Sequence, residues 1–182
     1  NVGKTVEYYG ATATRSTTAD LKGLVTALAG GQVKTLVVLG GNPAYDAPAD
    51  LDFAGAAAKA AHRIRLGSHV DETSAICDWH LPAAHFLESW GDAQAIGGPS
   101  SIVQPLIEPL FGGHSVAEML AVLERGQEMP GYDLVRETWK TLLGAGDYER
   151  RWERTLHDGI LADGTPSPVT VANDASAIAK LT

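Results

Sequence analysis

The chain predicts a doubly wound α/β fold, with a mostly parallel sheet and additional helices toward the C-terminus. Three observations predict it. Strand-like and helix-like runs alternate over the first two-thirds of the sequence, the rhythm of a parallel sheet wrapped by helices. The strongest strand, Thr35-Leu36-Val37-Val38-Leu39, is apolar on both faces, as a strand covered on each side must be. The connections are short and built from Gly, Pro and Asn.

Taken in order, Val6-Glu7-Tyr8-Tyr9 reads as a short strand. Asp20 to Ala29 reads as a helix, because Leu21, Leu24, Val25 and Leu28 fall at i, i+3, i+4 and i+7 and make one apolar stripe. Gly30-Gly31 ends it, since glycine accepts the left-handed conformation that closes helices. After Thr35–Leu39, Gly40-Gly41-Asn42-Pro43 breaks the strand, and an Ala-rich helix is expected over about Asp50 to Ala61. Ile64-Arg65-Leu66 reads as a strand, Asp71-Glu72-Thr73 opens a brief helix with an acidic N-terminus, and Trp79-His80-Leu81 is a last strand stopped by Pro82. Residues 87–114, rich in Gly, Pro and Ser but holding Ile102-Val103 and Leu106-Ile107, read as a long ordered loop. Ser115 with Glu118 forms a capping box before a helix whose expected buried stripe is Val116, Met119, Leu120 and Leu123. Tyr132 to Leu143 and Asp147 to His157 read as two helices, and the Ala/Thr/Ser/Pro-rich residues 161–182 as a tail that docks on the rest or on a parent chain. The expected division is a Rossmann-like α/β domain over 1–128 and a helical extension with its tail over 129–182.

Composition narrows the function. With 22 acidic and 14 basic residues the formal charge is −8, and no Lys/Arg cluster is present. Nucleic acid and anionic lipid are therefore poor partners. No apolar run approaches the roughly 20 residues that span a bilayer, so direct membrane insertion is not expected. The start at Asn1, without Met or signal peptide, reads as an internal piece of a larger chain. The single cysteine, Cys77, allows no internal disulfide and no iron–sulfur cluster held by this segment alone.

The first chemical candidate is Gly40-Gly41-Asn42-Pro43. In open α/β sheets ligands bind beyond the carboxyl ends of the strands, where glycine lets a ligand approach the backbone closely. The same residues also suit a plain strand-to-helix turn. They form neither a GxGxxG fingerprint nor a Walker A loop. His80 and His85 flank Leu81-Pro82 and read either as a pair facing one cleft or as separately hydrogen-bonded side chains. His62, His69, His114 and His157 fall in no metal-binding spacing, and no metal site is expected. Cys77 reads as a structural thiol. Asp71 and Glu72 read as an acid–base pair or as a helix cap. Glu88, Trp90 and Asp92 either line a site or pin the loop to the core. No catalytic residue is assigned.

Three ordered segments resemble the molybdopterin oxidoreductase (DMSO reductase-like) superfamily. Thr35 to Pro43 resembles its strand followed by Gly-x-Asn-Pro. Asp71-Glu72-Thr73-Ser74-Ala75 and Cys77-Asp78-Trp79-His80-Leu81-Pro82 resemble its acidic-Glu-Thr and Ala-Asp-x-x-Leu-Pro signature. Glu88-Ser89-Trp90-Gly91-Asp92 resembles its Glu-x-x-Gly-Thr. Trp79 to Asp92 and Ser101 to Ile107 look closest to the large iron–sulfur subunit of alternative complex III, a bacterial quinol-oxidising respiratory assembly. The likeness covers about residues 20–125.

The resemblance implies a cofactor-contacting set of Gly40, Gly41, Asn42, Pro43, Glu88 and Gly91, which line the pterin–guanine dinucleotide in cofactor-bearing relatives. Those relatives continue Asn-x-Glu-Gly-Arg-x-Gln. Here the stretch runs Ala95-Ile96-Gly97-Gly98-Pro99-Ser100-Ser101-Ile102-Val103-Gln104, without that Asn, Glu and Arg. An absent Arg removes a bidentate phosphate partner. The expectation is a domain of an iron–sulfur electron-transfer subunit with no cofactor in this segment, the iron–sulfur clusters lying elsewhere in the parent. Other subunits of a membrane-bound respiratory complex would be its partners, on the periplasmic side of the cytoplasmic membrane. The alternatives are a catalytic domain that binds molybdopterin guanine dinucleotide and a free-standing nucleotide-binding module.

Overall fold

Strands β1 (Thr35–Leu39), β2 (His62–Gly67) and β3 (Trp79–Pro82) pair in parallel, in chain order. Helices alternate with them, and further helices follow, so the chain is an α/β protein of the expected class. The computed structural model describes residues 1–10, 18–95, 98–144, 146–161 and 167–171. Among these no helix is long and apolar enough to cross a membrane.

Alternation along the strands assigns the two faces of this sheet. Leu36 and Val38 point to one face, where α1 (Thr18–Ala29) and α3 (Phe53–Ala57) cover them. Val25, Leu28, Phe53, Ala56, Ala57 and Ala60 complete this first cluster. Helix α1 ends as expected: Gly31 takes φ +68° and donates to the Leu28 carbonyl at 2.9 Å. The opposite face carries Leu39, Leu66 and Leu81, aligned by register. Over it lies α5 (Val116–Arg125), leaving a cleft of about 520 Å³ between Leu66 and Leu81 and the helix residues Met119 and Val122.

A second, antiparallel sheet of β4 (Gly91–Gln94), β5 (Ser100–Val103) and β6 (Ile160–Leu161) packs on α6 (Gly131–Leu143) and α7 (Tyr148–Asp158). Its core is Ile102, Val135, Trp139, Leu143 and Trp152, with Trp90, Tyr132 and Tyr148 against it. Both sides of residue 128 contribute to this unit, since β4 and β5 precede it and β6 follows.

Four expectations need correction. Val6–Tyr9 is not a strand; only an isolated bridge joins Val2 to Val6, and Tyr8 accepts a bond from Val169 N–H of the tail at 2.7 Å. The Ala-rich helix is shorter than 50–61, because Asp52 turns left-handed (φ 44°) and caps α3 through Gly55 N–H, leaving Ala49–Leu51 as a separate 3₁₀ turn. Residues 87–114 contain the β4–β5 hairpin. Ser100 and Ile102 point inward, and a buried serine hides the alternation that marks a strand. In α5, Met119 and Ala121 are buried while Val116, Leu120 and Leu123 are exposed. Glu118 closes the capping box with Ser115 and also accepts from Gly131 N–H at 3.0 Å. That double tie sets the helix rotation, turning Met119 and Val122 toward the sheet.

Candidate functional site

The Gly40–Pro43 turn lies at the carboxyl end of β1 and leads into α2 (Pro43–Asp46). Gly40 and Gly41 both take positive φ, +74° and +62°, and a Cβ on either would meet nothing within 4 Å. Backbone conformation, rather than close packing, therefore requires glycine here. Asn42 is the link to the next unit. Its Oδ1 accepts from Thr73 N–H at 3.1 Å and from Thr73 Oγ1 at 2.6 Å, and its Nδ2 donates to Glu72 Oε2 at 2.7 Å. Thr73, fully buried at the start of α4 (Glu72–Ala75), also accepts from Ala44 N–H at 3.0 Å through Oγ1. The turn is thus clamped onto α4 across thirty residues of sequence.

Beneath the clamp sits Arg65, a charged side chain in the middle of β2 and 3% exposed. It donates to the Gly40 carbonyl at 2.9 Å and forms an ion pair with Asp71; its Nε has no partner among the described residues. Gly67 makes room for it, since a Cβ there would lie 3.1 Å from the guanidinium. Asp71 N-caps α4 in a capping box with Ser74. Desolvation pushes its carboxyl up, but bonds from Ser74 N–H, from Arg65 and from the Ser74 hydroxyl outweigh it and hold the pKa down at about 2. The Ser74 hydroxyl lies 2.9 Å from His80 Nδ1. Glu72 is likewise lowered, first by the Asn42 amide. The cap reading of Asp71 and Glu72 therefore accounts for both side chains.

Apart from His80, which meets Ser74, the other expected site residues lie outside this network. Gly91 begins β4 opposite Val103. Glu88 accepts from His85 N–H at 2.9 Å and Leu110 N–H at 3.4 Å. Trp90 sits edge-on to Tyr132 at 5.0 Å, and Asp92 accepts from Trp139 Nε1 at 3.0 Å, so both pin the segment to the second core. His80 and His85 do not converge: His80 meets Ser74, whereas His85 accepts from Leu87 N–H at 3.2 Å through Nδ1. Cys77 is half-buried, and burial pushes its thiol up, away from the thiolate a nucleophile needs. Among the described residues no cluster of His, Cys, Asp or Glu could hold a metal ion.

Arg65 and Thr73 are the buried residues of this network that the sequence did not single out. The available signal was an arginine between two apolar strand residues, six positions before an acidic helix cap. A pyrophosphate brought to this turn would face Glu72 and Asp46, the latter accepting from Asn42 N–H at 3.3 Å. Arg65, the cation beneath it among the described residues, is already committed to Asp71 and the Gly40 carbonyl. These residues do not fit an anionic dinucleotide. No protein-family model matches the chain, and no curated protein matches it.

Proposed function

We propose that the chain is an α/β domain of a molybdopterin-oxidoreductase-like, iron–sulfur electron-transfer subunit of a respiratory quinol oxidoreductase, acting there as a scaffold with no molybdenum cofactor of its own. The reading rests on the three ordered motifs around Gly40–Pro43, Asp71–Pro82 and Glu88–Asp92. The observation that carries it toward a scaffold is the closure of the Gly40–Pro43 turn. Asn42 spends its amide on Thr73 and Glu72, and Arg65 spends its guanidinium on Asp71 and Gly40. A binding turn keeps such groups for its ligand. In this proposal the domain lies on the periplasmic face of the membrane, held by partner subunits.

Metal analysis of the natively purified parent tests the proposal. Iron without molybdenum or tungsten is the expected result, and stoichiometric molybdenum or tungsten would establish the catalytic alternative instead. Calorimetric titration of the chain with guanine and adenine dinucleotides is expected to show no binding in the micromolar range. Saturable heat in that range would overturn the scaffold reading in favour of a nucleotide-binding module.

A further inference from the structure

The segment between β3 and α5 exposes a large apolar surface that the fold itself does not use. Phe86 (63% exposed), Leu106 (77%), Leu110 (68%) and Phe111 (85%) stand out from it. Hydrogen bonds bring the two stretches that carry them side by side. Leu106 and Ile107 N–H both donate to the Leu87 carbonyl, at 2.8 and 3.2 Å, and Leu110 N–H donates to Glu88. Scattered exposed leucines need no explanation, but four large exposed apolar side chains on two stretches tied together by hydrogen bonds mark an interaction surface.

The chemistry beside the patch selects the partner. A cavity of about 260 Å³ opens next to it, walled by Trp90, Tyr132 and Pro109 and bordered by Glu88, Glu108 and Glu118. From Leu66 through Glu124 the sequence contains no Lys or Arg, while carboxylates recur throughout. Arg136 lies over the outer ring of this wall, 5.9 Å from the Tyr132 centroid, but Glu149 engages its guanidinium. Glu88 and Glu118 already accept backbone N–H bonds and Arg136 covers Tyr132, so the cavity offers an incoming guanidinium or ammonium group the Trp90 ring and the Glu108 carboxylate, in a stretch of sequence without cations. Anionic lipid and nucleic acid meet the wrong sign. A second copy in a two-fold arrangement would bring acidic rim against acidic rim.

We infer that the surface formed by Phe86, Leu106, Leu110 and Phe111 docks a protein segment that lays apolar side chains on the patch and places an Arg or Lys in the Trp90–Tyr132–Glu108 cavity. The inference is independent of the proposed function, because it concerns neither the Gly40–Pro43 turn nor any cofactor. Selection of a random displayed-peptide library on the chain tests it, followed by fluorescence anisotropy with the enriched peptides. Enriched sequences are expected to pair Lys or Arg with neighbouring apolar residues. Phe111→Asp and Glu108→Lys should each weaken binding about tenfold or more, with unchanged circular dichroism because both side chains are exposed. Absence of enrichment, enrichment of sequences without Lys or Arg, or binding indifferent to both variants would overturn it. So would a concentration-dependent dimer in sedimentation that Phe111→Asp abolishes, which assigns the patch to a second copy. Binding to phosphatidylcholine or phosphatidylglycerol vesicles through the same residues would assign it to lipid and equally overturn it.

Discussion

Asp71 is the residue on which the clamp between β2 and α4 depends. It neutralises Arg65, which is almost wholly buried, and it caps α4. Removing one partner of such a pair strands a buried charge, so Asp71→Ala should lower stability by roughly 3 kcal/mol in urea unfolding. The pH dependence follows from the same contacts. An unfolded Asp takes up its proton near pH 4, whereas Asp71 in the fold holds its charge down to about 2. A lowered carboxyl pKa stabilises the fold fully above the unfolded value, and that contribution fades as pH falls through the folded one. The urea midpoint should therefore drop between about pH 4 and 2 in the wild type, and Asp71→Asn should flatten that part of the profile. Asn42 acts similarly on neutral groups. Asn42→Ala leaves the buried Thr73 N–H and hydroxyl without their acceptor, at a cost of about 2 kcal/mol.

At the scale of elements, α5 separates local from tertiary control. Its start was legible: Ser115 accepts from Glu118 N–H at 3.2 Å, and Glu118 Oε2 accepts from Ser115 N–H at 2.7 Å. Ser115→Ala should cost about 1 kcal/mol in thermal or urea unfolding. Which side of the helix faces inward was not legible, because the ridge of Val116, Leu120 and Leu123 is as apolar as the one that is buried. The choice depends on Glu118 reaching Gly131, a contact with a residue thirteen positions away. Leu123→Lys should then change stability by less than about 0.5 kcal/mol, whereas a buried leucine would lose several times that. The β4–β5 hairpin was missed for a related reason. Its inward positions include Ser100, and only the packing of α6 and α7 against the hairpin makes that position interior.

At the scale of the whole molecule, most buried apolar side chains among the described residues fall in two clusters, one under α1 and α3 and one between the antiparallel sheet and α6–α7, while Leu66, Met119 and Ala121 lie in neither. Trp139 is the centre of the second. It is fully buried, bonds to Asp92 at 3.0 Å and packs edge-on against Trp152 at 6.2 Å. Trp139→Ala should destabilise by about 4 kcal/mol. Hydrogen exchange should locate the loss in β4–β6, α6 and α7, with α1 and β1 protected as before.

Sequence alone determined the α/β class, the order of the parallel strands' apolar runs, the glycine ending of α1 and the caps of α4 and α5. Each depends on neighbours within a few positions, where periodicity and hydrogen-bonding side chains act directly. Tertiary structure decided the rest. It closed the Gly40–Pro43 turn with Thr73 and Glu72, buried Arg65, rotated α5 and joined β5 to β6, because each of those contacts pairs groups that only folding brings within bonding distance.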